Sequence, residues 1–206
     1  MGSRVMHFCI TNELNKQLYS SNEIRLHLGG LAPDLTHPVY APKHTTHFVQ
    51  INSEGKKRID CRGFIQTYKP HFDDPFFTGY LSHLVADNLW YETMYLKLIK
   101  PLPEYERTSA VEKGYRDFHR LNSRLLAHYA LTPLEQIPAI DDVTIEGLYP
   151  EYIPFIAQQL NDDFKVEEEV TSAALEIYDV QQILAYIGNS VTETVRLLEE
   201  MKGEPL

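Results

Sequence analysis

Cysteine is scarce in this sequence, with only Cys9 and Cys61 among 206 residues. Two cysteines cannot build a disulfide framework, and they lack the Cys-x-x-Cys spacing of a structural zinc site. We therefore expect both to be buried free thiols. The sequence also has no run of about 18 apolar residues, and its first residues lack the basic and apolar regions of a secretory signal. These absences predict a cytoplasmic protein with no stable membrane insertion.

Basic residues are also in deficit, since 19 Lys and Arg stand against 29 Asp and Glu, which gives a net charge of −10. Binding to nucleic acid or to an anionic membrane surface rewards clustered positive charge, so this balance disfavours a nucleic-acid partner. A bound divalent cation would partly offset the acidity. The 43% hydrophobic content is enough for a real core.

Apolar residues recur mainly at three-to-four spacing, which predicts an all-α fold with at most a short β-hairpin over residues 47–59. We expect one domain over residues 1–206, with a core at 1–130 and a helical C-terminal extension at 138–206. The predicted helices cover residues 4–19, 22–28, 61–69, 75–99, 108–129, 148–161, 166–177 and 180–201. Gly29 and Gly30 are expected to end the second of these helices.

Local signals predict several helix starts. Ser3, Asp60 and Asp74 are candidate N-caps, and Asp74 is followed by a proline in the first turn. Asp179 with Gln182 three residues later resembles a capping box. Residues 31–48 include three prolines, which predicts a long loop of the kind that often carries function.

A histidine and an aspartate lie four residues apart in the apolar stretch GYLSHLVADNLW, at His83 and Asp87. Residues four apart share one face of a helix, and Gly79 one turn earlier leaves room beside them. The pair could be a satisfied polar contact inside a core. It could also be half of a metal site whose other ligands lie elsewhere in the chain.

Three further residues favour the metal site: Asp34 and His47 lie in the proline-rich loop, and His7 lies among apolar residues of the first helix. Burying a carboxylate without a partner costs several kcal/mol, and a divalent metal is a natural partner. Histidine and carboxylate ligands without a thiolate suit zinc or another first-row transition metal. His37 and His44, in the same loop, could be ligands or could help protonate a leaving group.

Other polar residues have simpler interpretations. Asn122 lies at the centre of an apolar stripe on the helix at 108–129, which predicts a core hydrogen bond or a contact that holds a ligand histidine. Asp117 lies on a different face of that helix and is expected to be solvated. His27, His71 and His128 are expected at the surface, but His119 falls at the edge of the apolar stripe.

Several ordered motifs resemble the zinc-dependent phospholipase C family, and especially its short cytoplasmic members. They are MH at 6–7, LGGLAPD at 28–34, TTHF at 45–48 and DDPFFTGYLSHLVADNLW at 73–90. The resemblance covers roughly residues 3 to 100. It implies a multi-helix bundle of the phospholipase C and single-strand nuclease type, with a multinuclear metal site.

The resemblance also implies roles for the candidate ligands. Asp34, His47, His83 and Asp87 would bind one ion, Asp87 would bridge to a second ion bound by His7, and Asp34 would double as the general base. The family's third ion uses a histidine where this chain has Thr93. It also uses a His-x3-acid pair on the next helix, and residues 105–130 contain none. We therefore expect one or two zinc ions rather than three.

These features favour a metal-dependent hydrolase that acts on a small phosphorylated substrate, such as a phospholipid head group, a nucleotide or a phosphomonoester. The sequence does not select among these substrates. The alternative is a helical binding or interaction protein in which the metal site is structural. Metal content and turnover of a generic phosphoester would distinguish the two.

Overall fold

The computed structural model describes residues 2–20, 22–35, 43–51, 57–165, 170 and 172–203. The α-helices are α1 (Arg4–Leu18), α2 (Glu23–Leu31), α3 (Lys43–Thr46), α4 (Cys61–Tyr68), α5 (Pro75–Trp90), α6 (Glu104–His128), α7 (Ile153–Asp162) and α8 (Val180–Gly203). Short 3₁₀ turns cover Ala32–Asp34, Lys69–His71 and Pro150–Tyr152, and a π-helix covers Tyr91–Ile99. Strands β1 (Val49–Ile51) and β2 (Lys57–Ile59) form an antiparallel hairpin. The all-α prediction, with one short hairpin, is confirmed for the described part of the chain.

The predicted helix caps are confirmed. The side chains of Ser3, Asp60 and Asp74 each accept a hydrogen bond from a backbone N–H in the first turn of α1, α4 and α5. At the start of α8, Asp179 accepts from the first turn while its own N–H donates to the side chain of Gln182. Each cap satisfies backbone donors that a helix leaves free at its N-terminus.

The prediction that Gly29 and Gly30 end α2 is wrong, because the helix continues to Leu31. These glycines instead lie where α2 crosses α5 with the two backbones in close contact. A Cβ atom on Gly29 would lie 2.0 Å from the carbonyl oxygen of Phe76, and one on Gly79 would lie 2.0 Å from that of Leu26. Glycine is therefore required here by close helix packing rather than by helix termination.

Other boundaries also differ from those predicted. The helix expected over 75–99 changes to π geometry at Tyr91, and the helix expected from 108 already begins at Glu104. Of the helix expected over 166–177, residues 166–169 and 171 lie outside the described residues, and residues 173–177 are not helical.

Asp117 is fully buried, so the prediction that it is solvated is wrong. Its carboxylate accepts backbone N–H bonds from Glu176, Ile177 and Tyr178 at 2.7–3.1 Å, and Arg120 pairs with it at 3.0 Å. The segment before α8 thus covers a face of α6 that the helical pattern assigned to solvent. Charge-assisted hydrogen bonds of this kind are stronger than neutral ones.

Helix α5 lies at the centre of the core, where it contacts α1, α2, α4 and α8. The last helix, α8, packs on both α1 and α5. Cys9 and Cys61 are free and buried, as predicted. Among the described helices, none has the length and apolar character needed to cross a membrane.

Candidate metal centre

Four separate elements bring the five candidate ligands together. His7 comes from α1, Asp34 from the 3₁₀ turn after α2, His47 from the residue after α3, and His83 and Asp87 from α5. The three histidines and Asp87 are at most 3% exposed. Two overlapping groups have ligand atoms within 4.8 Å of one another: His7 with His83 and Asp87, and Asp34 with His47 and His83. Both groups could hold a metal ion.

The spacing around His47 and His83 fits a small tetrahedral ion. Their Nε2 atoms lie 3.2 Å apart, and His47 Nε2 lies 3.4 Å from an oxygen of Asp34 and of Asp87. His83 Nε2 lies 3.9 Å and 3.8 Å from the same two side chains. A tetrahedral ion with bonds of about 2.0–2.2 Å keeps its ligand atoms about 3.3–3.6 Å apart. These five distances lie within a few tenths of an ångström of that range.

Backbone contacts fix which nitrogen of each ring faces the centre. His83 Nδ1 donates to the carbonyl oxygen of Gly30 at 2.8 Å, and His47 Nδ1 donates to that of Lys43 at 2.9 Å. Each neutral ring therefore directs the lone pair of its Nε2 inwards. Two lone pairs 3.2 Å apart repel each other unless a proton or a metal ion lies between them. Metal-binding histidines commonly donate their other N–H to a backbone carbonyl in this way.

His7 faces the other oxygen of Asp87. The His7 ring stacks on His83 with centroids 3.7 Å apart, and its Nε2 lies 3.6 Å from Asp87 Oδ1. Within the described residues this buried nitrogen makes no hydrogen bond. Asp87 thus presents Oδ1 to His7 and Oδ2 to His47 and His83, an arrangement in which one carboxylate can serve two adjacent ions.

The three histidines differ in their affinity for a proton. Burial lowers the pKa of His7 to about 3, and the neighbouring His83 adds to this shift. Burial also lowers the pKa of His83, against the opposing charges of the carboxylates. Burial alone would lower the pKa of His47 too, but its contacts with Asp34 and Asp87 outweigh burial and raise it. His47 is therefore the ligand at which a proton competes best with a metal.

Both carboxylates stay ionised. Burial alone would raise the pKa of Asp34, but the electrostatic interaction with His83, the hydrogen-bonding contact with His47 and the charge of Lys43 hold it well below its usual value. Lys43 Nζ donates a hydrogen bond to Asp34 Oδ1 at 2.6 Å. The positively charged groups around Asp87 likewise outweigh burial and lower its pKa. The centre therefore offers two anionic ligands, which suits a divalent cation.

His47 and Asp87 also line a cleft of about 810 Å³. Lys43 and His44 belong to its wall beside the centre, and His44 is exposed. The other lining residues come from the hairpin, the end of α5, the π-helix and the residue after it, α6 and the segment before α8. They include Lys57, Arg58, Trp90, Tyr91, Tyr95, Lys100, Tyr115, Phe118 and Tyr178. The candidate metal centre is thus reached from an open cleft.

Other polar residues lie away from the ligand cluster. Asn122 is buried, and its side-chain oxygen lies 3.4 Å from the hydroxyl of Ser3, the cap of the helix that carries His7. Thr93 donates its hydroxyl to the carbonyl of Leu89. His27 is 3% exposed and contacts Thr11 and Glu23, so its predicted surface position is wrong. His71 and His128 are exposed, as predicted, and His37 lies outside the described residues.

Tyr186 on α8 lies near the candidate metal centre but was not among the residues predicted from the sequence. Its hydroxyl is buried and has no hydrogen-bond partner among the described residues. Burial raises the pKa of this phenol well above its usual value, and the charges of Asp87 and Asp34 add to the shift. The ring also packs edge-on against Trp90, one turn after Asp87. No local pattern in α8 signals this position, because it depends on how α8 packs against α5.

Comparison of this chain with protein-family models, with curated proteins and with solved structures finds no match.

Proposed function

We propose that this chain is a metal-dependent hydrolase of small phosphoesters, with zinc as its metal. Its fold would be of the phospholipase C and single-strand nuclease type, and its setting cytoplasmic. The observation that supports the proposal best is that two of the ligands, His47 and Asp87, line a cleft whose wall carries Lys43 and further basic side chains. Buried ligands beside an open, basic cleft suit a metal that acts on an anionic substrate.

The ligand set favours zinc over magnesium or calcium. Three histidine nitrogens and two carboxylates are typical of zinc and related transition metals, whereas magnesium and calcium prefer all-oxygen sites. Asp34, His47, His83 and Asp87 would hold one ion, and His7 would share Asp87 at a second. When bound, zinc would lower the pKa of a coordinated water and neutralise charge on the phosphate oxygens.

Three side chains would assist the chemistry. Asp34 is the least buried ligand, with a side-chain exposure of 19%, and its ionised carboxylate would accept a proton from the attacking water. Lys43 lines the cleft and contacts Asp34, so its ammonium would also attract a phosphate group. The exposed His44 in the same wall would donate a proton to the leaving group. We also propose that His37, seven residues before His44 in the sequence, binds the same substrate.

The test combines metal content with turnover. Protein purified without chelator should carry at least stoichiometric divalent metal, and it should hydrolyse a generic phosphodiester or phosphomonoester when zinc or manganese is supplied. Asp87→Ala should lose both the metal and the activity, because it removes the carboxylate that faces all three histidines. Thr93→Ala, six residues further along, should keep both, since the Thr93 hydroxyl donates to the carbonyl of Leu89 rather than to a candidate ligand.

Each unfavourable result has a distinct meaning. Metal well below one ion per chain, or equal effects of the two substitutions, would contradict the proposed centre. Stoichiometric metal with no turnover across a broad panel of phosphoesters would contradict the hydrolase. That second result would support a helical binding protein with a structural metal site.

A further inference from the structure

The cleft beyond the metal centre has aromatic side chains on two walls. Tyr91 and Tyr95 of the π-helix stack with ring centroids 5.5 Å apart, and Tyr115 and Phe118 of α6 lie on another wall. Tyr91 is 48% exposed and Tyr115 is 55% exposed. Large aromatic groups left open on the walls of one cleft are typical of a binding surface.

The π-helix contributes to this wall directly. The N–H of Lys100 donates to the carbonyl of Tyr95 at 2.8 Å, a bond that spans five residues. Tyr91, Tyr95 and Ile99, spaced four apart along this segment, all line the cleft. π-helical segments are rare and are frequent at functional sites.

The charge of the cleft is opposite to that of the chain. Its lining carries four basic side chains, Lys43, Lys57, Arg58 and Lys100, in a chain whose net charge is −10. Arg58 also lies 3.6 Å from Glu92, an exposed carboxylate that does not line the cleft. Among the described lining residues, the one carboxylate is Asp87, which belongs to the metal centre. An aromatic site for a cationic head group normally gains from nearby negative charge, and this lining lacks it away from the metal centre.

We infer that the cleft selects phosphate esters whose organic group is flat, has about the size of an aromatic ring and carries no positive charge. This inference rests on the proposed function, which places the phosphate at the metal end. The flat group then lies beside Tyr91 and Tyr95 on one side and Tyr115 on the other. A cleft of about 810 Å³ is the size of a site for one small molecule.

Trp90 is the single tryptophan of the chain and lines the cleft, so its fluorescence should report ligand binding there. Fluorescence titration of the zinc-loaded protein with phosphonates, which resist hydrolysis, therefore measures binding without turnover. Phenylphosphonate should bind at least about tenfold more tightly than butylphosphonate. The phosphonate of a choline-like group, 2-(trimethylammonio)ethylphosphonate, should bind more weakly than phenylphosphonate because its organic group is cationic.

Two tyrosines of α6 provide a matched pair of variants. Tyr115→Leu should weaken phenylphosphonate binding by about tenfold while leaving butylphosphonate binding nearly unchanged. Tyr105→Leu, an exposed residue of the same helix outside the cleft, should change neither. Lys100→Gln should weaken both phosphonates, because it removes charge rather than aromatic surface.

The outcomes separate this inference from the proposed hydrolase. Equal binding of the phenyl and butyl compounds, or tighter binding of the trimethylammonio compound, would overturn the inferred selectivity even in an active enzyme. Tighter binding of phenylphosphonate than of butylphosphonate, if Tyr115→Leu abolishes the difference, supports the inferred ligand class. It would do so even if the protein hydrolysed no ester, in which case the proposed function alone would fail.

Discussion

His83 shows how one residue connects helix packing to metal chemistry. Its Nδ1 bonds to the carbonyl of Gly30 because α2 and α5 cross with their backbones in contact. That bond turns Nε2 towards His47 and the carboxylates. The histidine is therefore oriented by the core before any ion binds, which lowers the entropic cost of forming the site.

Tyr186 gives a prediction at the same scale. Its buried hydroxyl has no hydrogen-bond partner in the described part of the chain, and such a group costs about 1–3 kcal/mol. Tyr186→Phe should therefore stabilise the metal-free protein by about 1 kcal/mol, which raises Tm by about 3 °C for a domain of this size. Thermal denaturation of chelator-treated protein measures this change.

Tyr105→Phe is the matched control for Tyr186, because this tyrosine is 82% exposed and its hydroxyl is solvated. Its substitution should leave Tm unchanged. A lower Tm for Tyr186→Phe in the absence of metal would show that the hydroxyl has a stabilising partner.

At the scale of elements, the α2–α5 crossing holds the centre together. Helix α2 leads into the 3₁₀ turn with Asp34, and α5 carries His83 and Asp87. The glycines at this crossing thus determine both how closely the helices pack and how the ligands meet. A side chain added at the crossing should disturb folding and metal binding together.

Gly29→Ala tests this crossing. The new methyl group would lie 2.0 Å from a backbone oxygen of α5, so the helices must separate. Overpacking of this kind costs about 1–3 kcal/mol or more, and we expect a loss of about 3 kcal/mol with weaker metal binding. Chemical denaturation and metal titration measure the two effects.

Gly188→Ala is the control for the crossing. A Cβ at this exposed position of α8 meets nothing within 4 Å, so the substitution should stabilise by about 0.5–1 kcal/mol through helix propensity. If Gly29→Ala were equally harmless, the close approach of α2 and α5 would not be what positions the ligands.

The elements differ in how far the sequence could predict them. The caps at Ser3, Asp60 and Asp74 were predictable because a cap depends on a few neighbouring residues. The His83–Asp87 pair was predictable because helical geometry fixes residues four apart. The role of Gly29 and Gly30 was predicted wrongly as helix termination. In sequence, a glycine pair that ends a helix cannot be distinguished from one that allows another backbone to approach.

Longer-range features could not be predicted from local pattern. Asp117 is buried by the backbone of residues 176–178, which no helical pattern on α6 reveals. The convergence of Asp34 and His47 on α5 was expected from their residue types and from the resemblance to a known family, and no local pattern indicated it. The aromatic cleft depends on the π-helix and on α6, two elements whose mutual position follows from tertiary packing.

At the scale of the whole molecule, folding and metal binding should be coupled. The ligands come from α1, α5 and the region between α2 and β1, so a site that needs all of them exists only in the folded chain. An ion that binds only the folded state stabilises it by mass action. Zinc at about 1,000 times its dissociation constant contributes about 4 kcal/mol, or roughly 10 °C in Tm for a chain of this size.

This metal-dependent gain in Tm should depend on pH through His47. The pKa of His47 is raised above 6.5 in the metal-free protein, whereas those of His7 and His83 are lowered. As the pH falls, protons therefore compete with zinc at His47 before they compete at His7 or His83. The His47 contacts with Asp34 and Asp87 also stabilise the metal-free protein below pH 6.5, and this stability is lost as the pH rises through the folded pKa. Both effects make the Tm difference between zinc-loaded and chelator-treated protein larger at about pH 8 than at about pH 6.

Differential scanning fluorimetry across this range measures the difference, with His128→Gln as an exposed control that should follow the wild type. A Tm difference that is constant with pH would mean that His47 does not ligate the ion.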